Sequence, residues 1–282
     1  MFRKILFPTI LLLLISAIPV SAQDMSKKAL KDSLNFGHEI FSFSGGMFLT
    51  TLNSNISVGN SQLGLGININ VEDALGLNTQ MFVVRGKADY IFGKRMHSMT
   101  GISAFNIYRR ASKVLESQIE IGDHIFPIGT SVSSNFNTTV IKGNYDYLIY
   151  SDERVRLGAS VGLYLMSTRF EISALNSFAE DGNLVAPLPV IGTKSTFWIT
   201  PKWIINQSID VMYLKVLNYK GNITDVNISL EYLPFKNFGV GLGYNAFKFN
   251  LEAREESKIA GEFIGTLELA HSGLFLYGKF YF

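Results

Sequence analysis

Few residues in this chain have the types and spacing that catalytic chemistry requires. Hydrolases activate a nucleophile by placing a histidine beside a hydroxyl group, with a carboxylate to orient the ring. Histidine and serine are adjacent at His271-Ser272, with Glu268 nearby, and at His97-Ser98. HExxH, CxxC and phosphate-loop motifs are absent from the sequence. We therefore interpret these residues as ordinary polar side chains at strand ends, and we predict no catalytic residue, no metal site and no cofactor.

Charged residues at alternate positions are the second candidate. Arg85, Lys87 and Asp89 lie on one side of segment 82–92, because successive side chains of a strand point to opposite faces. The other face of this segment carries only aromatic, aliphatic and small residues. Two basic groups and one acidic group at this spacing can neutralise each other, so the pattern predicts a strand with one ionic face and one apolar face.

Later segments repeat this arrangement. It is clearest in 137–150, 155–171, 203–216 and 225–232, whereas the two faces of 97–110 are less distinct. Apolar faces on many strands, opposed by polar faces that carry both signs of charge, indicate a sheet closed around a polar interior. The predicted interior ionic network consists of Arg85, Lys87, Asp89, Lys142, Asp146, Arg156, Lys194, Asp210, Asp225, Glu231 and Lys279.

The N-terminus has the composition of a secretory signal peptide. Arg3 and Lys4 precede an apolar run at 10–18, which is too short to span a bilayer as a helix. Small residues follow at 20–22, where signal peptidase requires them, and we predict cleavage after Ala22. An uncleaved anchor is the alternative. The predicted organisation is a signal peptide at 1–22, a short polar segment at 23–37 and a strand-rich domain at 38–282.

Composition excludes several classes of protein. Removal of Arg3 and Lys4 with the signal peptide reduces the basic residues from 25 to 23, equal to the 23 acidic residues, and this balance argues against nucleic acid as a partner. The chain has no cysteine, which excludes a lipid-modified N-terminal cysteine and disulfide bonds. No run of about eighteen apolar residues follows the signal peptide, so no transmembrane helix is predicted.

The connections between predicted strands alternate between short and long. Four are short and polar, at 93–95, 151–154, 200–202 and 234–237, and the others are longer, at 54–80, 111–134, 174–188 and 253–260. Membrane β-barrels have short turns at one end and longer loops at the other. Four short turns with both chain termini at the same end predict about ten strands. Eight or twelve are alternatives, because 114–121 and 125–132 could form a hairpin that projects beyond the membrane.

Strand length and aromatic placement favour a membrane barrel over a soluble β-sandwich or lipocalin-like barrel. The predicted strands are often about ten to fourteen residues long, whereas soluble strands average roughly five or six and a tilted membrane strand needs about nine to eleven. Aromatic residues gather beside the short turns, as in the interfacial girdle of membrane barrels. We therefore predict an all-β fold, a transmembrane antiparallel up-and-down β-barrel. The predicted membrane-interface aromatics are Tyr90, Phe92, Tyr147, Tyr150, Trp198, Trp203 and Tyr232.

Proline positions agree with this arrangement of strands. Proline has no N–H to donate to a neighbouring strand, so we expect none inside a barrel strand. The prolines beyond the signal peptide, all predicted to lie in loops, in turns or at strand entrances, are Pro127, Pro187, Pro189, Pro201 and Pro234.

The C-terminus carries the most specific resemblance in the chain. The last four residues, KFYF, place Phe280 and Phe282 at alternate positions. This ending resembles the assembly signal of small integral outer-membrane β-barrel proteins of Gram-negative bacteria. That signal usually has glycine five residues before the end, where this chain has Tyr277 followed by Gly278. Segments 71–77 and 187–192 also look like stretches of a widespread group of such proteins whose function is undefined.

The resemblance implies a location and a set of partners. It implies a monomer in the outer membrane, surrounded by outer-membrane lipid and lipopolysaccharide, with segment 23–37 in the periplasm. Phe280 and Phe282 would be read by the barrel-assembly machinery during insertion. No nucleic acid is expected among the partners.

The interior charges leave three functions open. A barrel of eight to ten strands has room for little beyond its own side chains, which favours a filled, salt-bridged interior and a structural or surface-interaction role. A narrow channel or transporter for small or hydrophobic solutes is the alternative, with a lateral route suggested by analogy with the outer-membrane protein W family. Outer-membrane barrel enzymes, such as lipid A deacylases and omptin-like proteases, resemble this chain in size. They need a histidine near the extracellular rim, where His271 is the residue to inspect.

Overall fold

The computed structural model describes residues 40–58, 69–93, 97–121, 124–152, 154–174, 179–216, 219–253 and 265–282. The predicted signal peptide, its cleavage site after Ala22 and the predicted periplasmic segment at 23–37 lie outside the described residues. Most of the predicted loop at 253–260 and part of the predicted turn at 93–95 also lie outside them.

Ten long strands form the wall of the molecule. Each pairs antiparallel with its neighbours along the chain, and the last pairs with the first through a continuous ladder, which closes the sheet. The predicted fold, a closed antiparallel up-and-down barrel, is therefore confirmed. The wall strands are β1 (Phe41–Val58), β3 (Gln80–Phe92), β4 (Ser98–Val114), β7 (Ser131–Ser151), β8 (Val155–Ala174), β9 (Ala179–Thr200), β10 (Trp203–Val216), β11 (Tyr219–Phe235), β12 (Phe238–Ala253) and β13 (Gly265–Tyr281).

The two ends of the barrel are connected differently. At the turn end, two-residue turns follow β9 and β11, and both chain ends of the wall, Phe41 and Tyr281, lie there. At the loop end, the connection from β1 to β3 contains β2 (Ile69–Asn70) and the helix α1 (Val71–Leu75). The connection from β4 to β7 contains a hairpin of two short strands, β5 (Ile119–Ile121) and β6 (His124–Phe126), which form a separate sheet and add nothing to the wall. Within the described ranges, none of the helices has the length and the hydropathy of a membrane span.

In the turn-end half of the barrel, the strands have the two faces that alternation predicted. Phe82 and Val84 are 65% and 71% exposed on the outside of β3, whereas Asp89 is 7% exposed and faces the lumen. In β7, Ile141 is exposed on the outside and Lys142 is buried inside. The outer wall of this half is therefore apolar, and its lumen is charged.

In the loop-end half, the same strands have polar residues outside and apolar residues inside. The sequence analysis did not predict this inversion. Along the outer face of β12, Val240 and Leu242 near the turn end are followed by Lys248 toward the loop end. On the inner face of the same strand, Phe247 and Phe249 are buried. The wall strands are far longer than the roughly nine to eleven residues that a bilayer needs, which leaves length for a second half with inverted polarity.

Strand β9 is longer than predicted, and the predicted loop at 174–188 is wrong. The strand begins at Ala179, so Pro187 and Pro189 lie inside it. Both prolines are exposed and precede Ile191, in the part of β9 that pairs with β8 but not with β10. A strand segment with one open side tolerates proline, because a missing N–H on that side removes no ladder bond.

Candidate functional site

The lumen contains two layers of different chemistry along the barrel axis. In the loop-end half, inward side chains form one buried apolar cluster with α1. In the turn-end half, the inward side chains are mostly charged or polar and surround a cavity of about 230 Å³. The apolar cluster, called the apolar plug, is built around Phe136, Met166, Phe170, Ile172, Ile223, Phe249, Leu267 and Leu269, with Val71 and Leu75 of α1.

The structure brings the eleven charged residues predicted for the interior into the turn-end half of the lumen. Asp146 and Asp210, at 0% and 2% exposure, do not line the cavity but pair with Lys194 and Lys142, which do. The functional role of the network stays a prediction. The other nine line the space called the ionic cavity: Arg85, Lys87, Asp89, Lys142, Arg156, Lys194, Asp225, Glu231 and Lys279.

Lys194 connects two of the buried aspartates. Its Nζ lies 2.5 Å from Asp146 Oδ2 and 4.0 Å from Asp89 Oδ1. Lys87 Nζ pairs with the other oxygen of Asp89 at 2.8 Å, and Asn144 Nδ2 donates to Asp146 at 2.7 Å. Burying an ion costs several kcal/mol unless a partner and further hydrogen bonds offset the loss of water. These contacts supply that offset across β3, β7 and β9.

A second group of contacts centres on Tyr164. Lys142 donates to Asp210, and its Nζ also lies 5.1 Å from the centre of the Tyr164 ring. The Tyr164 hydroxyl donates to Asp225 Oδ2 at 2.6 Å, and Asn245 Nδ2 donates to Asp225 Oδ1 at 2.6 Å. Asp210 thus accepts a hydrogen bond from a cation, whereas Tyr164 and Asn245, which donate to Asp225, are uncharged.

Glu231 is also held by uncharged donors. Tyr277 Oη donates to its Oε2 at 3.0 Å, Tyr281 Oη donates to its Oε1, and Asn206 Nδ2 lies 3.4 Å from Oε2. Such donors satisfy the lone pairs of a buried carboxylate without neutralising its charge. Both carboxylates line the ionic cavity.

Four cations of the cavity lie over aromatic rings: Lys142, Arg156, Arg85 and Lys279. The Arg85 guanidinium carbon is 5.9 Å from the centre of the Phe105 ring, and Lys279 Nζ is 4.5 Å from that of Tyr281. A ring face attracts a cation but carries no net charge, so it leaves the positive charge of the cavity unchanged.

Trp198 is not a membrane-interface residue, contrary to the prediction. It lies on the same face of β9 as Lys194 and lines the ionic cavity, with the Arg156 guanidinium carbon 4.8 Å from the centre of its ring. Its position in sequence beside a short turn suggested the interface, but its position in the alternation turns it inward. The other six predicted aromatics are exposed on the outer wall near the turn end, and their contact with lipid stays a prediction: Tyr90, Phe92, Tyr147, Tyr150, Trp203 and Tyr232.

Inward-facing glycines make room for the buried groups. A Cβ atom at Gly101 would lie 2.6 Å from Asp89 Oδ1, and one at Gly241 would lie 2.2 Å from the Tyr277 ring. Both distances are well below the roughly 3.5–4.0 Å of a comfortable carbon contact. Asp89 belongs to the ionic network and Tyr277 donates to Glu231 of that network, so both glycines help to position it.

A buried ion pair fastens α1 into the loop-end mouth. Arg109 Nη1 donates to Glu72 Oε1, and its Nη2 donates to Ser54 Oγ at 2.9 Å. The backbone N–H of Ser54 donates to Glu72 Oε2 at 2.8 Å, and the Arg109 guanidinium carbon lies 4.8 Å from the centre of the Phe136 ring. This group of Ser54, Glu72 and Arg109, called the latch, joins α1, β1 and β4 against the apolar plug.

Sequence reasoning missed the latch. Glu72 lies in a region predicted as a long loop, and Arg109 lies in segment 97–110, whose faces were indistinct. The available signal was the polarity inversion itself. The inward face of β4 is apolar at Ile107, and Arg109 lies two positions further along the same face. A charged residue buried there requires a buried partner.

The structure places His271 on the opposite face of β13 from Ser272 and Glu268. His271 is 4% exposed and faces the lumen, stacked on Phe247 at 4.9 Å between ring centres and edge-on to Phe105 at 5.6 Å. Neither of its ring nitrogens has a hydrogen-bond partner among the described residues. Ser272 and Glu268 occupy the opposite face of β13, because side chains alternate along a strand.

The second histidine–serine pair has ordinary structural contacts. His97 Nδ1 lies 2.8 Å from the carbonyl oxygen of Leu148, and Ser98 Oγ lies 3.0 Å from Tyr145 Oη, both near the turn end. Within the part of the chain that the structure describes, no group of three or more acidic or histidine side chains is placed to hold a metal ion.

Comparison with known proteins reveals likeness in fold but none in sequence. No protein-family model matches the chain, and no curated protein matches its sequence. The crystal structure of the outer membrane protease OmpT from Escherichia coli superposes with a TM-score of 0.54 and 9% identity, over 86% of this chain and 97% of OmpT. The transport unit of the E. coli autotransporter AIDA-I gives a TM-score of 0.43 and 8% identity, over 92% and 99% of the two chains. The chain therefore has the fold of an outer-membrane β-barrel protein.

Proposed function

We propose that this protein is an integral barrel of the bacterial outer membrane with a closed lumen and a structural or surface-interaction role. The apolar outer wall of the turn-end half, the fold that it shares with OmpT and the predicted signal peptide support this location. Barrels of this class have short turns in the periplasm and longer connections outside the cell. The turn-end half would thus span the membrane, and the loop-end half would stand in water at the cell surface.

The apolar plug is the observation that carries the proposal of a closed lumen. Its residues fill the loop-end half of the barrel, and Phe136, Phe249 and Ile172 have 0% exposure. A dry apolar constriction blocks ions because they cannot shed their hydration shell within it. The inverted polarity explains how such a plug is stable, because the loop-end half is built like a soluble barrel, with its core inside and its polar residues in water.

Single-channel recording in planar bilayers tests the closure. We expect no conductance steps from the wild-type protein, and discrete steps from Phe136→Ser/Phe249→Ser, because two hydroxyls and two voids allow water into the plug. Ile128→Ser, at a site 68% exposed outside the lumen, is the matched control and should stay silent. Conductance steps from the wild-type protein would overturn the proposal. The absence of steps from a double variant that keeps its heat-modifiable gel mobility would overturn it as well.

The ionic cavity supports a narrow channel as a second candidate. Such a channel requires α1 to leave the loop-end mouth, and the latch is the contact that would have to break. Glu72→Gln should then produce gated steps in the same recordings, whereas Glu116→Gln, at an exposed ion pair with Lys113 (3.3 Å), should not. Silence of both variants rejects this candidate.

A further inference from the structure

The geometry points to a binding site for a small oxyanion, a carboxylate or a phosphate, in the ionic cavity, with Arg85 as its anchor. The charge of the cavity wall favours an anion. Six basic residues line the cavity, against three acidic ones. Asp146 and Asp210, which pair with two of these basic residues, bring the count to six against five, so the basic residues are still in excess.

Arg85 is the cation whose charge is least compensated. Its side chain is half-buried, its one ring contact is with Phe105, and no carboxylate of the described residues lies within ion-pair distance of its guanidinium. A guanidinium presents five N–H donors in a planar fork that matches two oxygens of a carboxylate or phosphate. Such a group, partly removed from water, gains most from an anion that accepts two of its hydrogen bonds.

Arg85 and the strands next to it line the ionic cavity. Arg85 is paired in register with Gly46 of β1, and the same row continues through Tyr277 to Gly241. Tyr277 occupies the space over both glycines, because a Cβ atom would lie 2.7 Å from Tyr277 Cβ at Gly46 and 2.2 Å from the Tyr277 ring at Gly241. The open volume beside Arg85 is therefore the ionic cavity itself, which Gly46 and Tyr277 also line. Phe48 forms part of the wall on the side toward the apolar plug, so an anion there would be shielded from solvent at that end.

The shape of the cavity limits the ligand to a small soluble anion. Its volume of about 230 Å³ lies below the roughly 300–1,000 Å³ of pockets for drug-sized ligands. The wall between β1 and β13 is a continuous ladder, and the apolar plug fills the loop-end half. Entry is therefore from the aqueous compartment at the turn end, and a lipid phosphate has no lateral route through that seam.

Calorimetric titration with inorganic phosphate tests the site. The protein is refolded in an uncharged, lipid-free detergent, and ionic strength is held constant with sodium chloride, because general screening also responds to salt. We expect saturable binding to the wild-type protein and at least about tenfold weaker binding to Arg85→Gln, the effect of losing a charge-assisted hydrogen bond. Arg110→Gln is the matched control, because Arg110 is exposed and lies over Tyr108 on the outer wall (5.8 Å).

Several outcomes would overturn the site. They are the absence of saturable phosphate binding to the wild-type protein, an unchanged affinity in a folded Arg85→Gln variant, or an equal loss in Arg110→Gln. If Arg85→Gln fails the heat-modifiability test, Arg85→Lys is used instead. Lysine keeps the positive charge but lacks the planar fork of donors, so an unchanged phosphate affinity in Arg85→Lys would overturn the proposal. A second titration with acetate distinguishes a carboxylate from a phosphate as the preferred ligand. Binding is measured without reference to conductance, so its failure leaves the closed-lumen proposal unaffected.

Discussion

The two halves of this barrel are made from the same ten strands but have opposite polarity. In the turn-end half, apolar residues such as Val161 face outward and charged residues such as Asp146 face inward. In the loop-end half, charged residues such as Lys248 face outward and Phe249 faces inward. Alternation along a strand permits both arrangements, and the solvent around each half selects between them.

The two halves are also stabilised in different ways. Burial stabilises the apolar plug in proportion to the apolar area removed from water, and this stabilisation does not depend on one specific geometry. Each buried ion pair adds little net stability, because desolvation offsets the attraction between the charges. Removing one partner of a pair is strongly destabilising, because the other charge is left buried without a partner. The turn-end lumen is therefore the half in which single changes should have the larger effects, and it is also the half that keeps a water-accessible cavity.

The largest expected effect comes from breaking a buried ion pair. Lys142→Met leaves the Asp210 carboxylate, 2% exposed, without its cation, and we expect a loss of about 3–5 kcal/mol in the free energy of unfolding. Urea unfolding of the protein folded in lipid vesicles, followed by tryptophan fluorescence, measures it. Lys215→Met, at an exposed lysine of β10, is the matched control and should change stability by less than about 0.5 kcal/mol.

The double variant Lys142→Met/Asp210→Asn sharpens the same comparison. Removing both charges should recover most of the loss, because a buried pair is itself close to neutral in stability. If the double variant is as unstable as Lys142→Met, the ion pair contributes directly, and the contrast drawn between the two halves is wrong.

The sequence predicted the turn-end half well for a physical reason. In β11, inward Asp225 and Glu231 alternate with outward Ile228 and Leu230, and such contrast is what a period of two detects. The same signal predicted Lys194 as an inward residue. It would have placed Trp198 inside as well, but the proximity of Trp198 to a turn was given more weight than its position in the alternation.

The loop-end half was harder to predict, because a change in polarity within one strand cancels the pattern. In β12 the outer face passes from Val240 and Leu242 to Lys248, so no single face is apolar along the whole strand. The cavity, the latch and the pairing of each charge depend on which strands become neighbours in space. Lys142 of β7 pairs with Asp210 of β10, which is not an adjacent strand. Alternation within one segment cannot predict such a pairing.

A charge placed on the outer wall tests the inversion directly, with the second-largest expected effect. Val161→Arg puts a guanidinium on the outer face of the turn-end half, where lipid is proposed, and we expect a loss of about 2–4 kcal/mol. Ser112→Arg puts the same group on the outer face of the loop-end half, beside Arg110, and should change stability by less than about 0.5 kcal/mol. Unfolding in vesicles measures both. Equal losses would mean that the membrane covers both halves, and equal tolerance would mean that it covers neither.

The smallest expected effect comes from a charge at the turn end that is exposed rather than buried. Partial burial of Asp152 acts to raise its pKa, but hydrogen bonds from the Tyr150 hydroxyl (2.7 Å) and from the N–H groups of Arg154 (2.8 Å) and Val155 (2.6 Å) outweigh it and lower the pKa below 3.8. A lowered folded-state pKa contributes stability that is present above the ordinary value and is lost as pH falls through the lowered one. Asp152→Asn should therefore lose less than about 1 kcal/mol at neutral pH, because the group is exposed and screened, and the difference from wild type should vanish in acid. Unfolding midpoints measured across that range check the sign. A loss as large as that of Lys142→Met would show that charge alone, and not its burial, makes the turn-end half sensitive.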